Sequence, residues 1–544
     1  MNDIEKALED IIVAIEREAK ELKEPEEPKE PEESEELKEP EEPKESEESK
    51  EPKESEEPKE SEEPKESEEP KETLLPLWPE FAFKPHQFFG VNWLKKREKV
   101  APFGGILCDE MGLGKTIQVI SLIKEDSLLT KPTTDSLLIA PIAVLTQWSD
   151  IAQKSGICVL HCGKKRTWEI LGAFRPNAPK LFVIGYESAR LKPELLTSKP
   201  WHRLICDEAH RLGSGKSCFP IIQKLECKHR WFLTATPIIN SLKDLKNILE
   251  LIGVENAYQL TSNIEAMKPV LSSIVLARTM EQLRPTNGDI PPPPEIQTIT
   301  LPFETEEEGD FYRGMTGNIV RRWRALEMDK GPLGGPLLKL QLFLRLRQLS
   351  LHPQIYIQAR REVLGAAYIR PNWTGDSTKF SAIRKLITSD PGHKWIIFCH
   401  FHPEMSLLQD MLSKVPSIRS ISKYSGALTF EQRKSVIDAS HMPLSDEKDS
   451  HVLLIQLQSG GVGLNLQHFD RVIFTGPWWT SALMEQAIGR AVRIGQKNVV
   501  KVYNITLEEE ESLNIDKIIT EKAKAKGDLC RQVLACACTD MCQS

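Results

Sequence analysis

A chain of 544 residues, 40% hydrophobic and 28% charged, has room for several domains of ~100–200 residues each. Its apolar runs fall short of the ~18 residues a membrane helix needs, its start lacks the charged-then-apolar pattern of an export signal, and its 11 cysteines are scattered. The expectation is a soluble intracellular protein of a reducing compartment with unpaired cysteines. The net charge of -9 hides an asymmetry: residues 1–72 carry -20 and the remaining 472 carry +11. An acidic leader on a basic body points to a polyanionic partner for the body.

In chain order, Ile4, Leu8, Ile11, Ile12, Ile15 and Leu22 recur at helical spacing, so residues 1–22 are expected to form an amphipathic helix. Residues 23–72 are almost entirely Glu, Lys, Pro and Ser, with Lys-Glu-Ser-Glu-Glu-Pro repeating from Lys53, Lys59 and Lys65. Such a segment cannot bury a core, and its prolines interrupt any long helix; a disordered, extended tether is expected.

Globular composition begins near residue 73. Apolar runs at Leu137–Ala140, Leu181–Ile184, Leu204–Cys206 and Trp231–Leu233, then at Trp395–Cys399, Val452–Leu457, Val472–Thr475 and Val500–Ile505, do not alternate with polar residues. They suit strands of parallel sheets covered by helices on both faces. Between the two series lie Pro291–Pro294 and a Gly/Pro cluster near Gly331–Pro336. The expected fold is α/β: a first RecA-like lobe over 73–275, a linker and helical insertion over 276–375, a second lobe over 376–510, and a C-terminal helix with a cysteine-bearing tail over 511–544.

The segment from Gly105 to Thr116 ends Gly112-Leu-Gly114-Lys115-Thr116. Glycines let backbone N–H groups approach phosphate oxygens, and a following helix presents its positive end. Lys115 would contact the β- and γ-phosphates and Thr116 would bind Mg²⁺. The strict pattern asks for Gly at 109, where this chain has Asp109, so a glycine-rich turn before a helix is the bland alternative. About 90 residues on, Leu204-Ile-Cys-Asp-Glu-Ala-His210 is an apolar strand ending in two carboxylates. Ligands of α/β folds bind at that carboxyl edge. Asp207 would hold Mg²⁺ and Glu208 would orient and deprotonate the attacking water.

With these motifs the chain resembles the SWI/SNF-type branch of superfamily two helicases, from about Phe83 to Gln496. Phe83–Leu94 resembles an adenine-sensing entry motif, with Gln87 as its glutamine. Asp109 is usual in this branch. The resemblance implies an ATP-binding loop of Asp109, Glu110, Met111, Gly112, Leu113, Gly114, Lys115 and Thr116. Leu138–Trp148 resembles a DNA-contacting motif. Leu233–Asn240 resembles the motif coupling hydrolysis to lobe movement, with Ala235 where Gly is usual, and Leu346–Pro353 resembles the branch's helical-insertion segment. Gln458–Leu466 resembles a nucleotide- and DNA-sensing motif, and Gln486–Gln496 the final motif. Coupling residues by this likeness are His210, Thr234, Thr236, Gly463, Asn465 and Gln486. Gln486, Arg490 and Arg493 are spaced to share one helix face, with Arg490 and Arg493 catalytic at the transferring phosphoryl group.

The resemblance implies an ATP- and Mg²⁺-dependent motor on double-stranded DNA, with little sequence preference and with chromatin or other DNA-bound proteins as further partners. It would be nuclear in a eukaryotic cell, and the compact form resembles versions carried by large DNA viruses. A strand-separating DNA or RNA helicase shares most of these motifs, and a non-enzymatic DNA clamp is the alternative of another class. Cys530, Cys536, Cys538 and Cys542 are spaced poorly for zinc and are expected to form a flexible thiol-bearing tail. No cysteine lies between Cys227 and Cys399, which excludes a cysteine-rich zinc module there. His161, His400 and His402 are expected to be ordinary buried or surface histidines.

Overall fold

The computed structural model describes residues 74–537, apart from 129–133, 164–166, 174, 176, 214–217, 239–241, 329–334, 445, 447 and 458–463. The leader helix and tether expected over 1–72 lie outside these residues, as do Cys538 and Cys542.

Two parallel sheets organise the chain. The first contains β1 (Gly104–Leu107), β2 (Asp135–Ala140), β3 (Cys158–Cys162), β4 (Trp168–Leu171), β5 (Lys180–Gly185), β6 (Trp201–Asp207), β7 (Cys227–Leu233) and β8 (Val275–Leu276). Their order is β4-β3-β5-β2-β6-β7-β1-β8, and only the edge strand β4 runs antiparallel. The second contains β9 (Glu295–Leu301), β10 (Lys394–Cys399), β11 (Ile418–Tyr424), β12 (Ser450–Gln456), β13 (Arg471–Phe474) and β14 (Lys501–Leu507), in the order β11-β12-β10-β13-β14-β9. All eight apolar runs read from the sequence are strands. Both faces of each are covered, which is why the runs lack alternation: Leu137 and Ile139 face one core and Leu138 and Ala140 the other.

The short or polar strands β1, β3, β4, β8, β9 and β11 left no comparable signal. β9 lies in the stretch expected as linker, yet it pairs with β14 over seven residues and completes the second sheet. The helices Glu306–Met328, Gly335–Leu351 and Pro353–Leu364 form the insertion around Phe311, Trp323, Phe343 and Leu346.

The last helix, Ile515–Leu534, begins in that insertion's core through Ile515, Ile518 and Ile519 and ends in the first lobe's core through Cys530 and Val533. Its ~30 Å length lets it span both. Cys530 is therefore not part of a flexible tail, as expected from the sequence: burial pushes its thiol up to about 11. At the other end of this helix, Asp516 pairs with buried Lys379 at 2.5 Å and accepts from Ser350 and the Leu507 N–H, tying insertion and second lobe together.

Candidate functional site at the lobe interface

β1 ends at Leu107, and the chain turns through 108–114 into the helix Lys115–Glu125. Gly112 (φ 90°) and Gly114 (φ 87°) adopt left-handed backbone that a side chain would strain. A Cβ on Gly114 would also lie 2.6 Å from Gln87 Nε2. Gln87, in the helix Pro85–Arg97, donates to the Leu113 carbonyl (3.4 Å) and accepts from the Lys84 N–H (3.3 Å), so it braces the loop directly. His86 Nε2 donates to the same carbonyl at 2.9 Å. Lys115 Nζ donates to the Asp109 carbonyl at 2.6 Å, and Thr116 is half-buried in the first helical turn.

In two members of the expected ATP-binding loop the side chain is engaged within the protein. The Asp109 carboxylate is fully buried and held by Arg278, with Nε 2.8 Å from Oδ1 and Nη2 2.5 Å from Oδ2; Gln118 donates to Oδ2 at 2.9 Å. Arg278 also donates to the His86 carbonyl. Asp109 therefore fastens the loop to the entry helix and to the chain leaving the first lobe. Leu113 is fully buried in a cluster with second-lobe residues Ala487, Ala491 and Val492, so its side chain packs between lobes. Glu110 accepts from the Met280 N–H at 2.6 Å.

β6 ends at Asp207. Its Oδ2 accepts the Trp148 indole N–H (2.8 Å), its Oδ1 the Glu208 N–H (2.9 Å), and its carbonyl the Tyr186 hydroxyl (2.8 Å). Burial, with Glu208 adjacent, pushes Asp207 up to about 6. Glu208 sits at φ 51°, an uncommon conformation for a residue with a side chain. Trp148 ends the segment expected to touch DNA, but it is 1% exposed and supports Asp207 instead. The sequence reading missed Tyr186 and Arg278, and it did not foresee Trp148 beside Asp207. Their roles depend on contacts 21 to 169 residues away along the chain, and no spacing rule reveals those.

His210 Nδ1 lies 3.4 Å from Glu208 Oε2 and 3.2 Å from Thr234 Oγ1. Burial first, then Arg211, lowers its pKa to about 4, so the ring is neutral. Thr234 Oγ1 in turn accepts from the Thr236 N–H at 3.1 Å. Thr236 lines a cavity of about 50 Å³ closed by Ser481 and Glu485 of the second lobe and by Gly527 of the last helix. A line of contacts thus leads from Glu208 through His210 and Thr234 to Thr236, at the wall of a cavity that both of those elements share.

The second lobe meets the loop through residues 486–493. Gln486 is buried in the helix Ser481–Ile488, but Arg490 and Arg493 do not continue that helix face as their spacing suggested. The helix stops at Gly489, and the Arg490 carbonyl accepts the Leu466 N–H at 3.0 Å instead of a helical partner. Tight turns follow. A Cβ on Gly489 would lie 3.2 Å from Met111 Cβ, so the segment seats directly on the phosphate loop. Arg490 is 3% exposed and within electrostatic reach of Glu208 and Asp207; burial, then Arg493, lowers its pKa to about 10. Arg493 donates to the Leu464 carbonyl at 3.3 Å. Asn465 is exposed, and Gly463 lies outside the described residues. His161 is partly exposed, His402 is exposed, and His400 is half-buried against Arg347.

A phosphate loop in one parallel-sheet lobe, faced by arginines of a second, defines a two-lobed, helicase-like ATP hydrolase. The chain matches the SNF2-related domain over residues 86–355 and the helicase conserved C-terminal domain over residues 378–495. It belongs to the SNF2, or SWI/SNF-type, branch of the superfamily two helicases. It is 27% identical over 452 residues to the "Probable global transactivator" of Orgyia pseudotsugata multicapsid polyhedrosis virus, covering 79% of this chain and 87% of that one. It is 26% identical over 477 residues to the mouse (Mus musculus) "SWI/SNF-related matrix-associated actin-dependent regulator of chromatin subfamily A member 1", covering 81% of this chain and 44% of that one. It spans between 26% and 49% of the length of five cellular relatives it matches. Among solved structures, the "Sulfolobus solfataricus SWI2/SNF2 ATPase core in complex with dsDNA" aligns with 22% identity and a TM-score of 0.37, over 85% of this chain and 99% of that one. Among the described residues no helix is long and apolar enough to cross a membrane.

Proposed function

We propose that the chain couples ATP hydrolysis to movement along double-stranded DNA, or to remodelling of protein–DNA complexes. The observation that carries this reading is the split site: Arg490 of the second lobe lies within electrostatic reach of the Asp207–Glu208 pair of the first. A site divided in this way is complete only in one relative position of the lobes, so each turnover can be converted into a lobe displacement.

In this reading Gln87 reads adenine and the backbone of 112–116 cradles the phosphates. The donor set suits Mg²⁺, a hard cation that takes oxygen ligands: the Thr116 hydroxyl and the Asp207 carboxylate would hold it. Mg²⁺ would neutralise charge on the β- and γ-phosphates. Lys115 turns from the Asp109 carbonyl to the phosphate oxygens. Glu208 accepts a proton from the attacking water. Arg490 and Arg493 stabilise charge on the γ-phosphoryl oxygens. The Glu208–His210–Thr234 line reports the state of the site to the second lobe and the last helix.

Duplex DNA is favoured as the track by the +11 charge of residues 73–544, which suits a phosphate backbone read without strong sequence preference. The resemblance of Leu346–Pro353 to the branch's insertion segment favours translocation over strand separation. ATP turnover should be measured with duplex DNA, single-stranded DNA, RNA or nucleosomes as stimulant. Duplex stimulation without strand separation is the expected result. Stimulation by RNA alone, or efficient unwinding, would replace the reading.

A further inference from the structure

We propose that Glu98, His202 and His229 form a binding site for a zinc-type divalent transition-metal ion, at the edge of the first sheet opposite the nucleotide. The three side chains offer ligand atoms that all lie within 4.8 Å of one another. His202 is the second residue of β6, whose other end carries Asp207, so the site lies ~17 Å from the phosphate edge at ~3.3 Å per residue. β7 brings His229 alongside, since Arg203 is its register partner, and the two imidazoles stack edge to face with centroids 5.1 Å apart. Glu98 caps the helix Pro85–Arg97 and closes the third side.

The protonation chemistry suits a metal. His229 Nδ1 lies 3.3 Å from the Phe103 carbonyl, which can only accept, so Nδ1 carries the proton and Nε2 keeps its lone pair. Metal-binding histidines are commonly oriented by such a bond to a backbone carbonyl. Glu98 Oε1 is occupied by Arg203 Nε (2.5 Å) and Trp231 Nε1 (2.9 Å). Oε2 takes one donor, Arg203 Nη2 at 2.7 Å, and keeps a lone pair.

The nearest charges are two carboxylates, Glu98 and Asp126, against one buried guanidinium, Arg203; Lys228 is exposed. The buried cluster is anionic overall before an ion enters. Two imidazoles and one carboxylate select zinc-type ions over Mg²⁺ or Ca²⁺, which prefer oxygen. Tetrahedral ligands on such an ion stand about 3.3 Å apart, so binding needs a closure on the order of 1 Å. The partly exposed His202 ring can supply it, because no hydrogen bond to the described residues fixes it. The ion would fasten the end of the entry helix to β6 and β7.

The full chain, stripped of metal by chelator dialysis, should be titrated with Zn²⁺ against a chromogenic chelator and with Co²⁺ by absorption spectroscopy. One tight equivalent is expected, with a cobalt spectrum of nitrogen and oxygen ligation and a rise in Tm on zinc addition. His202→Gln should lose that equivalent, or weaken it at least tenfold, while its metal-free circular dichroism is unchanged. His229→Gln, at a more buried position, should show the same loss. Binding unaffected by both substitutions, a strong thiolate-to-cobalt charge-transfer band from a cysteine site, or no tight binding would each overturn the proposal.

Discussion

A Cβ built on Gly112 of the phosphate loop would lie 3.6 Å from the Cα of Arg493 in the second lobe. The second-lobe backbone thus comes within the reach of one side-chain atom from the loop, across the candidate site. Nucleotide cradle and arginine segment are thus one packed unit, with Leu113 buried between them.

The first prediction follows from that contact. Arg490→Ala or Arg493→Ala should lower ATP turnover by ~10³-fold or more, the scale of arginine fingers elsewhere. ATP affinity should stay within several-fold of the parent, because the cradle belongs to the first lobe. Turnover and nucleotide binding by fluorescence separate the two effects. A loss of binding equal to that of Lys115→Ala would argue against lobe closure as the catalytic step.

Glu208→Gln keeps the shape of the side chain and removes the base. It should bind ATP and Mg²⁺ yet barely hydrolyse, whereas Lys115→Ala should weaken nucleotide binding as well. Near-normal turnover in Glu208→Gln would sink the assignment of the base.

Asp109→Ala tests whether that residue anchors the loop or touches nucleotide. It removes the bidentate carboxylate partner of a 3%-exposed guanidinium and should destabilise the protein by about 3–5 kcal/mol, as for other broken buried pairs. Urea denaturation measures this. Unchanged stability with a raised KM for ATP would make Asp109 a nucleotide ligand instead.

Stability should fall on acidification. His352 is lowered to about 4, mainly by burial. His400 is held well below 6.5 by burial, then by Arg347. The Arg347 guanidinium donates to His400 Nδ1 (2.7 Å), and Nε2 donates to the Gly476 carbonyl (3.2 Å), so the folded ring has no place for a second proton. The folded pKa is depressed, so the unfolded chain takes up protons that the folded chain refuses. This contribution is present above 6.5 and is lost as pH falls below it, by up to ~1.4 kcal/mol per pH unit per histidine. Denaturation midpoints from about pH 7.5 to 5 should drop in the parent and drop less steeply in His400→Gln. Equal slopes would refute the assignment.

The acidic leader offers a test from charge alone. Residues 21–72 carry -17, and an unstructured tether of that length reaches about 40 Å. If it competes with DNA for the basic body, deleting residues 1–72 should tighten DNA binding at low salt, and the gap should close as salt screens the charges. Identical affinities at every salt concentration would show a solubilising segment that touches nothing.

The sequence alone determined the two-lobed α/β architecture, because buried parallel strands must be apolar on both faces and runs such as Leu181–Ile184 announce them. It also singled out Lys115, Asp207 and Glu208 as candidates, since phosphate loops and strand-end carboxylates need fixed residue types at short spacings, while Arg490 came from the resemblance to the family's final motif. Contacts distant in sequence were beyond its reach. Only tertiary structure put Asp109 on Arg278, Trp148 on Asp207, and Cys530 in the first lobe's core. Only tertiary structure showed that the helix promised by the Gln486–Arg493 spacing stops at Gly489, and that the Arg490 carbonyl beyond it takes the Leu466 N–H from another loop. Local motifs record chemistry that neighbouring residues perform together. The partners of a buried charge or of a freed carbonyl are chosen by packing, and packing is settled only when the whole chain has folded.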